Sequence, residues 1–321
     1  MSHAADDTPI RIGISSCLLG EQVRFDGGHK RDGFLVDTFG RWVEWVPVCP
    51  EVEVGLGVPR PTMRLERHDT AIRLVTPKTS EDHTEAMEAF SRRRAGELAR
   101  EDLVGYVLKK DSPTCGMERV KVYDRHGTPA RTGVGLFAAA LLARQPLLPI
   151  EEEGRLSDPR LRENFVERVF AYRRLRSFFA GRWTVGGLVR FHTAHKLLVM
   201  SHSTVAYQAL GRLVAAAKSL DRATLRERYE REFMEALRGI ATTKRHTNVL
   251  HHMVGHFRES LDPASRKELL DCIDEYRRSL VPLIVPLTLV RHHVRALGVT
   301  YLAGQIYLEP HPRELMLRNH V

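Results

Sequence analysis

An α/β first half, built on a small Rossmann-like parallel sheet, followed by an all-α second half is what this sequence predicts. Three observations carry it. Short apolar runs over residues 10–14, 45–48 and 104–108 each stop near a cysteine, and the stretches between them are far longer than a hairpin turn. Parallel neighbours need such long crossovers, whereas antiparallel ones close through a few residues. Beyond Leu156 the apolar spacing lengthens to helical periods with few strand signals,. Between the halves, Glu151-Glu152-Glu153-Gly154-Arg155 reads as a linker, which sets the domains at 8–153 and 156–321.

In chain order, residues 10–14 are the first strand and lead into Ser15-Ser16-Cys17-Leu18-Leu19-Gly20. Residues 20–30 are Gly-rich and charged and read as a loop over the crevice,. A short helix over 32–39 precedes the second strand at 42–48, which ends at Cys49-Pro50. Gly55-Leu56-Gly57-Val58-Pro59-Arg60-Pro61 is a second loop at the same end of the sheet,. Residues 80–103 are the clearest helix, with Ser80 as N-cap and Ala86, Met87 and Phe90 opening an apolar face,. The third strand, 104–108, runs through Lys109-Lys110-Asp111 into Ser112-Pro113-Thr114-Cys115-Gly116. Then come a strand at 120–123, a turn region at 124–132, an Ala/Leu-rich helix at 135–144 and a last strand at 147–150. Helical periods in the second half cover 158–179, 192–200, 204–219, 223–241, 248–258, 263–280, 286–297 and 299–307.

A length of 321 residues with 43% apolar content suits two cored domains,. No apolar run approaches the ~20 residues of a membrane span. The longest candidate, 280–290, is broken by Pro282 and Pro286. Residues 1–8 are polar and acidic, unlike a secretory signal, so a cytoplasmic chain is expected,. Four cysteines then read as metal-binding or catalytic, not as a disulfide framework,. Charge is uneven: residues 1–150 carry 21 Lys+Arg against 21 Asp+Glu, and residues 151–321 carry 28 against 19 with 11 of the 16 histidines. The whole excess of +9 therefore sits in the helical half, which points to a polyanionic partner, nucleic acid before membrane,.

Cys17, Cys49 and Cys115 are 32 and 66 residues apart, which excludes a local C-x-x-C pair,. At the carboxyl ends of parallel strands they meet where ligands bind in open α/β sheets. Three thiols without a fourth ligand suit a metal with an open position, zinc or an iron–sulfur cluster. A lone cysteine nucleophile, or three unrelated core thiols, are the competing readings. Glu51 and Ser112 are the carboxylate and hydroxyl nearest in sequence to two of the thiols, placed to move protons,. Ser16 and Asp26 rank second, as substrate-binding positions, with Asp26 before a Gly pair also suited to an Asx-turn,. Cys272 has no cysteine neighbour and reads as a core thiol,. His252 and His256, four residues apart, lack an acidic partner in sequence and read with His292-His293 as basic RNA-facing or interface positions.

Three blocks carry a family resemblance: residues 14–20 with Arg24-Phe25-Asp26-Gly27-Gly28, Pro47-Val48-Cys49-Pro50-Glu51-Val52 with residues 55–60, and Ser112-Pro113-Thr114-Cys115-Gly116. Together they resemble the thiouracil desulfidase family over most of residues 10–150. That resemblance implies a [4Fe–4S] cluster on Cys17, Cys49 and Cys115, whose free iron takes the sulfur of a thiolated uracil, and a Glu and a Ser as catalytic groups. Where relatives tend to carry a Gly pair, this chain has Glu53-Val54 before Gly55. The second half resembles the YbgA-type domain through residues 195–203, His246-Thr247-Asn248-Val249-Leu250, residues 280–289 and residues 310–321. The whole chain thus resembles two-domain desulfidases that remove 4-thiouridine from RNA, with tRNA as the expected substrate. A desulfidase for free thiouracil or a thionucleoside, and a non-catalytic iron–sulfur sensor that binds nucleic acid, are the rival expectations.

Overall fold

The structure is a computed structural model that describes residues 10–320. The reading of residues 1–8 as a non-secretory start lies outside the described residues, as do positions 8 and 9 of the expected first domain and Val321 of the expected second. By its contacts the chain divides after Ser157 into two units.

The first unit opens with β1 (Arg11–Ser15), followed by β2 (Glu44–Val48), the one-turn helix α1 (Pro50–Glu53), β3 (Arg64–His68), β4 (Ala71–Thr76) and β5 (Glu81–Asp82). Then come α2 (Thr84–Leu98), β6 (Gly105–Leu108), β7 (Val120–Tyr123), β8 (Pro129–Gly133), α3 (Leu136–Arg144) and β9 (Ile150–Glu152). One sheet has the order β2-β1-β6-β9 with every neighbouring pair parallel. Its central strands are buried from Ile12 to Ser15 and along all of β6, with Ile12, Ile14, Val107 and Leu108 fully so, as expected of a parallel sheet covered on both faces,. Gly13 interrupts the apolar run because a Cβ there would lie 2.1 Å from the Tyr106 ring, which crosses β1 at that point. The second sheet, β5-β4-β3-β7-β8, is mixed, with β3 parallel to β7 and the other pairs antiparallel.

Several expectations for this half need correction. Residues 64–76, left without an element, form the β3–β4 hairpin; Arg64, Glu66, Arg67 and His68 mask its strand pattern. Ser80 does not cap a helix: it sits at φ 57°, Glu81–Asp82 pair with β4, and α2 starts only at Thr84. The turn region at 124–132 contains most of β8. The stretch 151–155 is not a linker, since Glu151 and Glu152 lie in β9 and are buried. They are satisfied there because Arg155 pairs with Glu151 at 2.7 Å and the Met117 N–H donates to Glu152 at 2.7 Å,. The expected helix at 32–39 is a π-type turn over Phe34–Thr38 and a 3₁₀ turn over Phe39–Arg41.

The second unit is helical: α4 (Pro159–Ala180), α5 (Val185–His202), α6 (Thr204–Ala215), α7 (Arg222–Arg238), α8 (Thr243–Gly255), α9 (Pro263–Arg277), α10 (Ile284–Ala296) and α11 (Thr300–Ala303). Asp158, Thr184, Ser203, Asp221, Thr242 and Asp262 each accept a first-turn N–H, so six of these helices begin on a capping side chain,. The α5 helix begins seven residues before its expected start at 192, and the expected 299–307 helix is only α11 plus a 3₁₀ turn over Ile306–Leu308. Cys272 is buried on α9. Arg318 joins the chain's end to α4 through Glu163 at 3.1 Å and Glu167 at 2.6 Å, and His202 meets the other Glu167 oxygen at 3.1 Å. Glu163, Glu167 and His311 bring ligand-type atoms within 4.8 Å of one another, but both glutamates are already engaged by the Arg318 guanidinium.

Candidate active site

Each of three neighbouring strands delivers a thiol to the same edge of the parallel sheet. β1 ends at Ser15 and turns into a 3₁₀ helix, Ser16–Leu19, that carries Cys17. β2 ends one residue before Cys49, which caps α1, and Glu53 accepts the Cys49 N–H at 3.1 Å. The same Glu53 pairs with Arg94 of α2 at 3.1 Å and so anchors this turn. β6 leads through residues 109–114 to Cys115. There Ser15 Oγ accepts the Lys109 N–H at 3.0 Å, joining the ends of β1 and β6.

The Cys115 turn is seated on the start of α3. Leu136 N donates to Pro113 O at 3.2 Å, and Phe137 and Ala138 donate to Thr114 O at 3.0 and 3.1 Å. Otherwise unpaired amides of the helix's first turn are thus satisfied by the loop that carries the thiol. Gly135 permits the approach: a Cβ there would lie 2.5 Å from the Thr114 carbonyl carbon and oxygen.

Beside the thiols runs a hydrogen-bonded set that spans two loops. Arg60 donates to Glu51 Oε2 from Nε at 2.8 Å and from Nη2 at 2.5 Å, and its remaining contacts are the carbonyls of Gly57 and Val23. The pair is largely removed from water, with side-chain exposures of 4% for Arg60 and 14% for Glu51. The other Glu51 oxygen accepts from Thr114 Oγ1 at 2.8 Å, and Thr114 Oγ1 lies 3.0 Å from Ser112 Oγ. Ser112 Oγ in turn accepts the Thr114 and Cys115 N–H groups at 3.2 and 3.1 Å.

Cys17, Cys49 and Cys115 line one cleft of about 360 Å³ together with Ser16, Glu51 and Ser112. Asp26 is not among the lining residues; it accepts the Gly28 N–H at 3.0 Å in an Asx-turn and lies 3.5 Å from Arg24. Sequence reasoning missed Thr114, Arg60 and Ser15, although all three stand within the blocks that carry the resemblance. The cleft also collects cations: Arg24, Lys30, Lys109 and Lys110 line it, while Lys109 is held by Glu153. Among the described residues no carboxylate pairs with the ammonium of Lys30 or Lys110.

Burial pushes the Cys17 thiol up to about 11 despite the pull of the Lys109 ammonium. Burial likewise raises Cys49 and Cys115. Thiols held protonated in this way are poor nucleophiles, and coordination to a cation is what draws such protons off. Among the described residues the three sulfurs do not form a set within 4.8 Å of one another. Thiolates on one tetrahedral zinc at ~2.3 Å would sit ~3.8 Å apart. Three soft donors, set wider than one ion needs around a roomy cleft, fit a multi-iron cluster better than a single metal ion.

Comparison with known proteins agrees with this division. The sequence model of the family described as 2-thiouracil desulfurase matches residues 12–153, and that of a family of unknown function, DUF1722, matches residues 196–312. The uncharacterised protein YbgA of Escherichia coli K12 is 33% identical over 163 residues, which cover 50% of this chain and 95% of YbgA. Among solved structures, a [4Fe-4S]-dependent thiouracil desulfidase, TudS, is 29% identical over 46% of this chain and 93% of its own, with a TM-score of 0.38. With nearly all of YbgA covered and one family matched within each structural unit, the chain belongs to the two-domain proteins that join a thiouracil desulfurase domain to a YbgA-type helical domain.

Proposed function

We propose that the protein is a [4Fe–4S]-dependent desulfidase that converts thiolated uracil, 4-thiouridine within tRNA, to uridine with release of hydrogen sulfide. The observation that carries this reading is the meeting of three thiols, two of them buried and Cys49 half-buried, with Glu51 and Ser112 in one cleft of a domain that matches the 2-thiouracil desulfurase family. Cys17, Cys49 and Cys115 would hold the cluster, which supplies a soft Lewis-acidic iron for the substrate's sulfur. The chain's own residues do the rest. Glu51, locked by Arg60, is a fixed carboxylate base, and Ser112 presents a hydroxyl whose oxygen rests on two backbone N–H groups,. Replacing C=S by C=O with water transfers no electrons, so no redox partner is required.

The cleft lysines and an arginine-lined groove favour a phosphorylated substrate over a free base, and an aromatic side chain suits the base itself. Among the described residues no carboxylate pairs with Lys30 or Lys110 of the cleft, and a neutral base gives them nothing to bind,. Phe25, 37% exposed, lines the same cleft and offers an aromatic face on which a base stacks,. In the helical unit an open groove of about 1030 Å³ is lined by Arg212, Arg228, Arg231 and Arg245, which suits a phosphate backbone,. A sensor would need no proton-moving groups beside its cluster, whereas the Glu51 and Ser112 set is in place.

The test is anaerobic reconstitution with iron and sulfide, followed by the 4-thiouridine absorbance of bulk bacterial tRNA and by sulfide release. A brown protein that bleaches the tRNA band is expected. Cys17→Ala, Cys49→Ala and Cys115→Ala should lose the colour and Cys272→Ala should keep it. A colourless protein holding one zinc, or a brown one that attacks free thiouracil and leaves tRNA untouched, would overturn the cluster or the substrate respectively.

A further inference from the structure

We propose that the helical unit carries, at the start of α8, a pocket that binds one phosphate group, a site separate from the cleft of the first unit and independent of the desulfidase reading. Each of the four stretches that carry the YbgA resemblance supplies part of its wall: His202, His246, Val281 with Leu283, and His320. The pocket holds about 40 Å³. That is room for roughly three waters, the size of one tetrahedral oxyanion and too little for a base.

Hydrogen-bond donors without partners converge there. Thr243, the first residue of α8, lines the pocket. The N–H groups of Thr243 and Lys244 meet no acceptor among the described residues, whereas Thr242 takes the next one, that of Arg245, at 3.3 Å,. His246, only 5% exposed, lines the same pocket, and its tautomer follows from its neighbour. Its Nδ1 lies 2.8 Å from the hydroxyl of Tyr307, which is fully buried and has no other acceptor among the described residues. Were His246 the donor, the Tyr307 proton would be stranded in the core, so Tyr307 donates and the neutral imidazole carries its own proton on Nε2. That Nε2–H has no acceptor among the described residues. Arg160 of α4 adds a guanidinium that no carboxylate among the described residues pairs with.

The two glutamates in the wall do not oppose an anion. Glu167 is engaged by Arg318 and by His202. Burial, with Glu167 beside it, raises Glu163 to about 8, so at neutral pH it offers a proton and not a charge. Water alone satisfies unpaired N–H groups but leaves the Arg160 charge unbalanced. A phosphate answers both, because its oxygens accept from the α8 amides, from His246 and from the guanidinium at the positive end of a helix.

The test titrates the full chain with inorganic phosphate at constant ionic strength, with chloride as the control. The Nε2–H resonance of His246, identified by its absence from His246→Gln, should shift and saturate with phosphate and stay in place with chloride. Arg160→Gln and Thr243→Pro, the latter removing an N–H at a position where proline suits a helix, should each weaken phosphate ~10-fold by calorimetry. Calorimetry needs no assignment, so it decides the matter if His246→Gln does not fold. A second arm adds tRNA to the phosphate-saturated protein: displacement of phosphate assigns the pocket to a phosphate of RNA, and retention assigns it to free phosphate. No saturable shift or heat up to ~20 mM phosphate, equal affinity in the parent and both variants, or an equal response to chloride would overturn the site. None of these outcomes touches the desulfidase reading, which is decided by the cluster and the tRNA band.

Discussion

The Arg60 guanidinium is held by four hydrogen bonds, two to Glu51 and one each to the carbonyls of Gly57 and Val23, and with its backbone N–H on Phe25 O it ties the loop after β2 to the loop after β1. Removing one member of such a buried pair leaves an uncompensated charge, at a cost of ~3–5 kcal/mol. Arg60→Met should therefore lower the melting temperature and the retention of iron, measured by thermal denaturation and by iron content after gel filtration. Glu51→Gln should lower both as well, because it leaves the Arg60 guanidinium buried without a charge partner and its single amide oxygen can accept from Arg60 or from Thr114 but not from both, while turnover falls ~10²-fold,. Full turnover in Glu51→Gln would remove that residue from the chemistry. The thiols were legible in the sequence because each stands at the end of an apolar run, and Glu51 and Ser112 because they stand two and three residues from a thiol. Arg60 and Thr114 were not, since what defines them is a partner 9 or 63 residues away in sequence.

At the scale of elements, the start of α3 and the Cys115 turn form one unit, with three helix amides donated into the turn. Gly135→Ala tests this, because its Cβ would meet Thr114 backbone at 2.5 Å and backbone has nowhere flexible to give. Overpacking of this kind costs ~1–3 kcal/mol. The expected outcome is loss of iron on reconstitution with helical content near the parent's by circular dichroism; normal iron uptake would show that the turn tolerates displacement. The elements that escaped sequence reading share a physical cause. The β3–β4 hairpin carries charged side chains on its exposed face, and β9 buries two glutamates that look like a linker until Arg155 and the Met117 amide are seen to satisfy them. The long helices were easier, because amphipathic periods extend over many residues and capping side chains mark their starts,.

At the scale of the whole molecule, the balanced charge of the first half and the excess of the second bear on what each can bind, and the buried histidines bear on pH. Burial lowers His246 to about 3 and His192 and His311 to about 4, from an ordinary 6.5. The unfolded chain takes up these protons below pH 6.5 and the folded chain does not, so stability falls as pH drops from 6.5 towards 4. Glu163, raised to about 8 by burial and by its neighbour Glu167, works in the opposite sense: its folded form holds a proton between pH 4.5 and 8. Three histidines outweigh one glutamate, so melting at pH 5 should come ~5 °C below that at pH 7, and His246→Gln should narrow the gap. An equal gap in the variant would mean that His246 is not among the groups that titrate on unfolding. The arginine groove makes the last prediction. If Arg212, Arg228, Arg231 and Arg245 meet a phosphate backbone, binding of tRNA releases counterions, and log K should fall by ~0.7–0.9 per phosphate contacted for each tenfold rise in salt,. Arg228 and Arg231 already lie within 3.5 and 3.6 Å of glutamates on their own helix, so Arg212 and Arg245 are the more informative positions. Reversing both to glutamate should weaken tRNA binding and flatten its salt slope by about two contacts, while iron content and turnover of 4-thiouridine monophosphate stay at the parent's level. An unchanged salt slope would place the RNA contact elsewhere on the chain, and Lys30 and Lys110 of the cleft would be the next positions to reverse.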